Sequence, residues 1–235
     1  MANIYPVNLN NRQVLAFFTD KDTAIINYTL ESLSISSFKA LYMPRQGHTD
    51  NVQILLKWQD TRSVSISDAV ITNLKGILIG VKTADCLPIL LSSKDGALVA
   101  AVHAGWRGTA KAILKKTLDI MINRFSLSAD DILVAMGPSI RGCCYEVGPE
   151  VVEKIIEVTG QGEHIKNTNT GFYVDLCKAN TRIALGAGVP AENIWVSEYC
   201  TYCNPERFHS YRYSKTTKRQ GAFIGIKLDS EENNE

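Results

Sequence analysis

Residues 77–109 read ILIGVKTADCLPILLSSKDGALVAAVHAGWRGT, and the fold turns on how this stretch is read. It holds three apolar runs of strand length, at 77–81, 87–91 and 97–103. They are rich in Val, Ile and Leu, and Asp85, Pro88, Asp95 and Gly96 punctuate them. Working outward, similar runs predict strands at 14–19, 52–58, 132–136, 194–197 and 223–228. Three helices follow from apolar periodicity. Residues 110–125 place Ile113, Leu114, Leu118, Met121, Ile122 and Phe125 on one broad face. Residues 149–158 start with Pro149 in the first turn, where its missing N–H costs nothing. Residues 175–185 open on Asp175 as a cap and end at Gly186 and Gly188, with Pro190 beyond. A weaker helical pattern covers 22–33. Helices fall between some strands but not in regular alternation, so a mixed α+β sandwich around one continuous core is expected, not a doubly wound sheet.

The composition narrows the class. Of 235 residues, 45% are apolar and 21% charged, which excludes a disordered, collagenous or low-complexity chain. No linker or repeat divides the chain, so 1–235 is expected to be a single domain with a frayed acidic tail at 229–235. Lys and Arg number 25 against 24 Asp and Glu, a net charge of +1. That balance lacks the basic excess of a nucleic-acid or anionic-membrane surface. The N-terminus carries no basic segment followed by an apolar core, and no run approaches the ~20 apolar residues of a membrane span. The six cysteines are therefore expected to be reduced thiols in a cytoplasmic protein.

Chemistry concentrates in three short segments: Gln46-Gly47-His48, Asp85-Cys86 and His103-Ala-Gly105-Trp106-Arg107-Gly108-Thr109. Cys86 and His103 are 17 positions apart, too far for one helix but suited to neighbouring strands. Two His and one Cys, with a fourth position left to water, describe a catalytic zinc site, and the same donors also hold copper. Spacing alone leaves the alternative of a hydrogen-bonded His and an inert packing Cys.

The runs TADCLPI, AAVHAGWRGT and GPSIRGCCYEVGPEV resemble the YfiH/laccase-domain family, also called polyphenol oxidase-like. SDAVITN upstream and CTYCNPERFHSYRY downstream agree with it, and the resemblance covers 45–226. It implies a four-layer α/β/β/α sandwich like the catalytic domain of cytotoxic necrotizing factor. It also implies a metal, usually zinc, held by the His of Q-x-H, the Cys of ADC and the His of HAGW, here His48, Cys86 and His103. The implied activity is phosphorolysis of adenosine, inosine and methylthioadenosine, with adenosine deamination. Copper-dependent polyphenol oxidation is attributed to some members. The partners are then a small nucleoside and phosphate, bound by a monomer or small homo-oligomer.

On the matched residues, Arg107 is expected to grip phosphate and Asp85 to act as general acid or to orient a ligand histidine. Gly108 and Thr109 would complete a phosphate site at the start of a helix beginning at Ala110, with Thr109 as its cap. The alternatives are a surface ion pair for Arg107 and a turn cap for Asp85. Arg212 falls in the Ser-x-Arg segment that family members carry near the pocket. Two departures weaken the anion contacts: Tyr213 follows Arg212 where many members have a second Arg, and Ala222 follows Gly221 where many have Gly-Arg. Trp106, Tyr145 and Phe172 are candidates to stack a purine, or are core. Cys143 and Cys144 are read as packing in preference to an acyl-transfer nucleophile, and Cys200 and Cys203 also as packing. A copper oxidase is the competing class, but multicopper chemistry needs about ten His and the chain has four. No feature favours a non-enzymatic binding role.

Overall fold

The decisive stretch does not form one sheet: its first strand lies in a different sheet from the next two. In the computed structural model, residues 3–23, 28–62 and 64–228 are described. The first strands are β1 (Val14–Phe18), β2 (Ala40–Tyr42), β3 (Val52–Leu55), β4 (Ala69–Thr72), β5 (Ile77–Thr83), β6 (Leu87–Ser93) and β7 (Val99–Ala104). Then come α1 (Trp106–Ala110), α2 (Ile113–Phe125), β8 (Ile132–Met136), β9 (Glu146–Val147), α3 (Pro149–Thr159), β10 (Ile165–Thr168) and β11 (Gly171–Val174). The chain closes with α4 (Leu176–Gly186), β12 (Ile194–Val196), α5 (Tyr211–Ser214) and β13 (Gln220–Ile226). One sheet has the order β1-β13-β5-β2, a second β12-β8-β6-β7-β4-β3, and a small ribbon β10-β11-β9. The turn at Ala84-Asp85-Cys86 therefore carries the chain from one sheet to the other.

Period-two burial explains why both sheets are apolar on both faces. In β6, Leu87, Ile89 and Leu91 join the cluster that α2, α3 and α4 cover, while Leu90 joins the cluster between the sheets. In β5, Ile77, Ile79 and Val81 face that same inter-sheet cluster, and Leu78 points the other way. The single continuous core expected from sequence is thus three clusters, because each sheet's backbone separates the side chains on its two faces. The outermost cluster packs Phe17, Leu78 and Phe223 under Tyr28, Leu33 and Phe38.

That outer cover departs from the expected fourth helical layer. Residues 28–33 are turn and coil, and residues 24–27 of the weak helix at 22–33 lie outside the described residues, as does the tail at 229–235. The helix expected at 110–125 is broken: Ala112 takes φ 57°, which separates α1 from α2. Asp175 caps α4 as expected, its side chain accepting from the Lys178 N–H. The ribbon β9–β11 was not foreseen, since Lys166, Asn167 and Thr168 are exposed and polar and leave no apolar signal. Among the described residues, no helix is long and apolar enough to cross a membrane.

Candidate functional site

The crossover turn, the end of β7 and the loop before β3 meet at one place. Pairing of β6 with β7 sets Pro88 opposite His103, so Cys86 arrives beside the turn at Gly105. Pairing of β4 with β7 sets Ala69 opposite Val102, and the His103 N–H donates to the Asp68 carbonyl at 2.7 Å. Gln46 clamps its loop onto β5, its amide donating to the Lys82 carbonyl at 2.8 Å and accepting from the Lys82 N–H at 2.7 Å. These constraints bring the His48, Cys86 and His103 donor atoms within 4.8 Å of one another. His103 is buried, Cys86 half-buried and His48 exposed, which leaves one side open to the cavity.

Asp68 organises this triad, and sequence reasoning did not single it out, although it lies inside the quoted SDAVITN. The carboxylate is fully buried and accepts from the backbone N–H groups of Gly47 at 3.1 Å, His48 at 3.1 Å and Thr49 at 2.6 Å. It also accepts from the Thr49 hydroxyl at 2.8 Å and lies 2.7 Å from His103 Nδ1. This grip holds His48 at φ 55°, a left-handed conformation uncommon outside glycine. It also fixes which nitrogen His103 turns away from Cys86. Burial would push the Asp68 carboxyl up, but the bonds from His103 and Thr49 hold it well below the usual range.

The electrostatics of the triad pair a thiolate with a protonated imidazole, whose proton a bound metal would displace. Burial opposes ionisation of Cys86, yet the charge of His103 and hydrogen bonds from His103 and His48 bring its thiol down to about 6. Burial likewise opposes protonation of His103, but attraction to Cys86 and the Asp68 bond raise it to about 9. One thiolate and two imidazoles supply three donors of the types that both zinc and copper take, with a further position open. Gly105 completes the fit: a Cβ there would stand 2.8 Å from Cys86 Sγ. The three residues present therefore suit a divalent metal.

The triad opens into a cavity of about 750 Å³, within the usual range for small-molecule sites. Arg45, Lys82, Arg107, Arg212, Lys215 and Arg219 all line it. Among the described residues, no carboxylate forms a salt bridge with any of these six. Arg107 instead stacks on Trp106, with its Cζ 4.4 Å from the ring centroid. Arg212 lies over Tyr145 at 5.3 Å and donates to the Glu146 carbonyl at 2.9 Å. Only Arg107 and Arg212 of these six cations were singled out from sequence.

Other expected roles sit differently. Asp85, at φ 90°, accepts from the Thr201 hydroxyl at 2.7 Å and from the Arg212 backbone N–H at 2.7 Å. With both oxygens accepting, it anchors the Arg212 segment and is not placed as a proton donor. Thr109 is no cap: it lies inside α1, buried, with its hydroxyl accepting from Asn180 at 3.0 Å. Gly108 is buried in the same five-residue helix, and neither residue lines the cavity. The break at Ala112 is the cause, because the helix start moves back to Gly105 and turns Thr109 towards α4. Trp106 and Tyr145 line the cavity, whereas Phe172 packs against the helical cluster. His164 is buried 2.8 Å from the Thr159 hydroxyl.

Similar proteins share this arrangement of chain. Over 180 residues, 76% of this chain and 79% of the relative, it is 41% identical to a purine nucleoside phosphorylase of Aquifex aeolicus strain VF5. Over 183 residues, 73% of this chain and 69% of the relative, it is 40% identical to adenosine deaminase RL5 from an unknown prokaryotic organism. The crystal structure of YlmD from Geobacillus stearothermophilus superposes with a TM-score of 0.85 at 28% identity, covering 94% of each chain. Residues 18–227, which hold all three triad members and every cavity cation, match the model of one family. The chain belongs to that family, described as multi-copper polyphenol oxidoreductase laccase.

Proposed function

We propose that this protein is a zinc-dependent purine nucleoside phosphorylase that also deaminates adenosine. The observation that carries the reading is the set of six cations, none in a salt bridge among the described residues, facing the same cavity as the His48–Cys86–His103 triad. A neutral chain that gathers this much positive charge around one cavity is built for a small anion. In phosphorolysis, a phosphate oxygen bonds to the sugar C1′ as the C1′–N9 bond breaks, and the base leaves with the electron pair and takes up a proton.

Arg107 and Arg212 would hold the phosphate, Arg107 through a bidentate fork kept in place by Trp106. Tyr145 has its phenol pushed well above the ordinary value by burial and by the negative charge of Cys86, so it remains a neutral donor beside the cavity. Zinc held by His48, Cys86 and His103 would lower the pKa of water to about 7, supplying the nucleophile for deamination at neutral pH. The departures at Tyr213 and Ala222 are offset within the same wall. Tyr213 stacks edge-on with Tyr202 outside the cavity, and Ala222 is buried, while Lys215 and Arg219 face in.

Copper-dependent phenol oxidation is the reading that the family description invites. A multicopper oxidase needs several copper sites, but His164 and His209 are not grouped with the triad, so the cavity offers one site of two imidazoles and one thiol, enough for a single copper. The test supplies adenosine or inosine with and without phosphate to protein reconstituted with zinc or copper. Free base and ribose 1-phosphate with zinc are expected; phenol oxidation with copper and no nucleoside turnover would overturn the proposal. Arg107→Ala should raise the KM for phosphate roughly tenfold to a hundredfold, since hydrogen bonds to charged groups contribute about 1.5–3 kcal/mol. Deamination without phosphate should survive that change. An unaltered phosphate KM would remove Arg107 from the anion site.

A further inference from the structure

Four of the six cysteines converge away from the triad. Cys143 and Cys144 follow the turn after Ile140, and Cys200 and Cys203 lie in the turns beyond β12. Their sulfurs all fall within 4.8 Å of one another. Cys144 is 3.2 Å from Cys203 and 3.4 Å from Cys143, and Cys143 is 3.7 Å from Cys203. Packing, the expectation from sequence, does not account for this. Cys143 and Cys203 are exposed, only Cys200 is buried, and exposed thiols gain nothing by crowding together. A tetrahedron of thiolates around zinc, with bonds of about 2.3 Å, has sulfur–sulfur edges of about 3.8 Å, close to the spacing seen.

We propose that Cys143, Cys144, Cys200 and Cys203 form a second, structural metal site that takes one tetrahedral zinc ion. The surrounding backbone is braced as such a site needs. The Arg141 N–H donates to Cys200 Sγ at 3.4 Å, and the Asn204 N–H and side-chain amide hold the Cys200 carbonyl at 3.1 and 2.8 Å. Across the gap, the Cys144 N–H closes a turn onto the Arg141 carbonyl at 2.9 Å. The two segments joined support one wall of the cavity, the first directly and the second from behind. Tyr145 follows Cys144 directly, and Thr201, between the other two cysteines, holds Asp85 and through it Arg212. A zinc ion here would staple that wall without touching substrate. This site is independent of the nucleoside reading and could stand if that reading failed.

Metal content decides the question. Protein purified under reducing conditions without chelator should carry two zinc ions per chain. Cys86→Ala should carry one, and so should the double variant Cys200→Ser/Cys203→Ser. Because Cys200 is buried and its loss could compromise folding, the exposed Cys143→Ser provides a milder variant, expected to bind the second ion more weakly. Cobalt substitution adds a spectroscopic signature. Intense tetrahedral thiolate–cobalt bands should persist in Cys86→Ala and be lost or weakened when the four-cysteine set is changed. A single zinc per chain in the unaltered protein, retained in the double variant, would overturn the site. So would a Cys144–Cys203 disulfide in metal-free protein, or iron in place of zinc.

Discussion

Asp68→Asn is expected to lower metal affinity about ten- to a hundredfold, the usual cost of losing a partner that orients a ligand. It should also destabilise the fold by on the order of 3 kcal/mol, the scale of breaking a buried ion pair. The carboxylate has five donors to satisfy: three successive N–H groups, the Thr49 hydroxyl and His103 Nδ1. An amide offers one oxygen. If its NH2 takes the position of Oδ1, it opposes the His48 N–H and forces His103 to accept at Nδ1. His103 then carries its proton on the nitrogen that faces Cys86. If the NH2 takes the position of Oδ2, it opposes the Gly47 and Thr49 N–H groups instead, and the Thr49 hydroxyl has to turn and accept. The second keeps the oxygen that serves His48 and His103 but gives up the bonds from the Gly47 and Thr49 N–H groups that shape the His48 loop, so the orientation of the triad is loosened in either case. Competition with a chromogenic chelator reads the affinity, and denaturation of chelator-treated protein reads the stability. Unchanged affinity would mean that Asp68 supports the fold and does not orient the triad.

Asp68 also marks where sequence reasoning stops. Most strands of the two sheets were legible, because long Val/Ile/Leu runs carry their own signal and errors at their ends are only a few residues. The short β2 and the fully buried β4 were not foreseen. The triad was legible because rare donor residues stood beside strand ends. What was not legible depended on pairing between distant strands. Asp68 organises His103 only because β4 lies against β7, and no local pattern announces that register. The cavity cations were hidden likewise: Arg45, Lys82 and Arg219 come from separate elements, and each alone is an ordinary charged residue. The four cysteines form a group only because Ser139 and Cys200 bridge, bringing together segments that are remote in sequence. The break at Ala112 had no glycine or proline to betray it, so apolar periodicity carried the expected helix across a left-handed residue.

Gly105→Ala isolates the triad from the fold. Gly105 has φ −67° and ψ 174°, which alanine adopts freely, and it makes no side-chain cap that the change would remove. The added methyl therefore acts by occupying space. Its Cβ would lie 2.8 Å from Cys86 Sγ and 3.6 Å from His48 Cδ2, so the thiol has to move. Metal–ligand distances tolerate shifts of only about 0.2 Å. We expect metal affinity to fall by about ten- to a hundredfold, with nucleoside turnover falling alongside, while the chelated protein unfolds within about 1 kcal/mol of its parent. Gly137→Ala provides the opposite control. Its Cβ would press to 2.4 Å from the Phe18 ring in the core between the sheets, away from the cavity. That change should cost stability, about 1–3 kcal/mol for an overpacked core, and leave the metal affinity of the folded fraction intact. If Gly105→Ala loses stability and keeps its affinity, Cys86 is a packing residue beside the cavity and not a ligand within it.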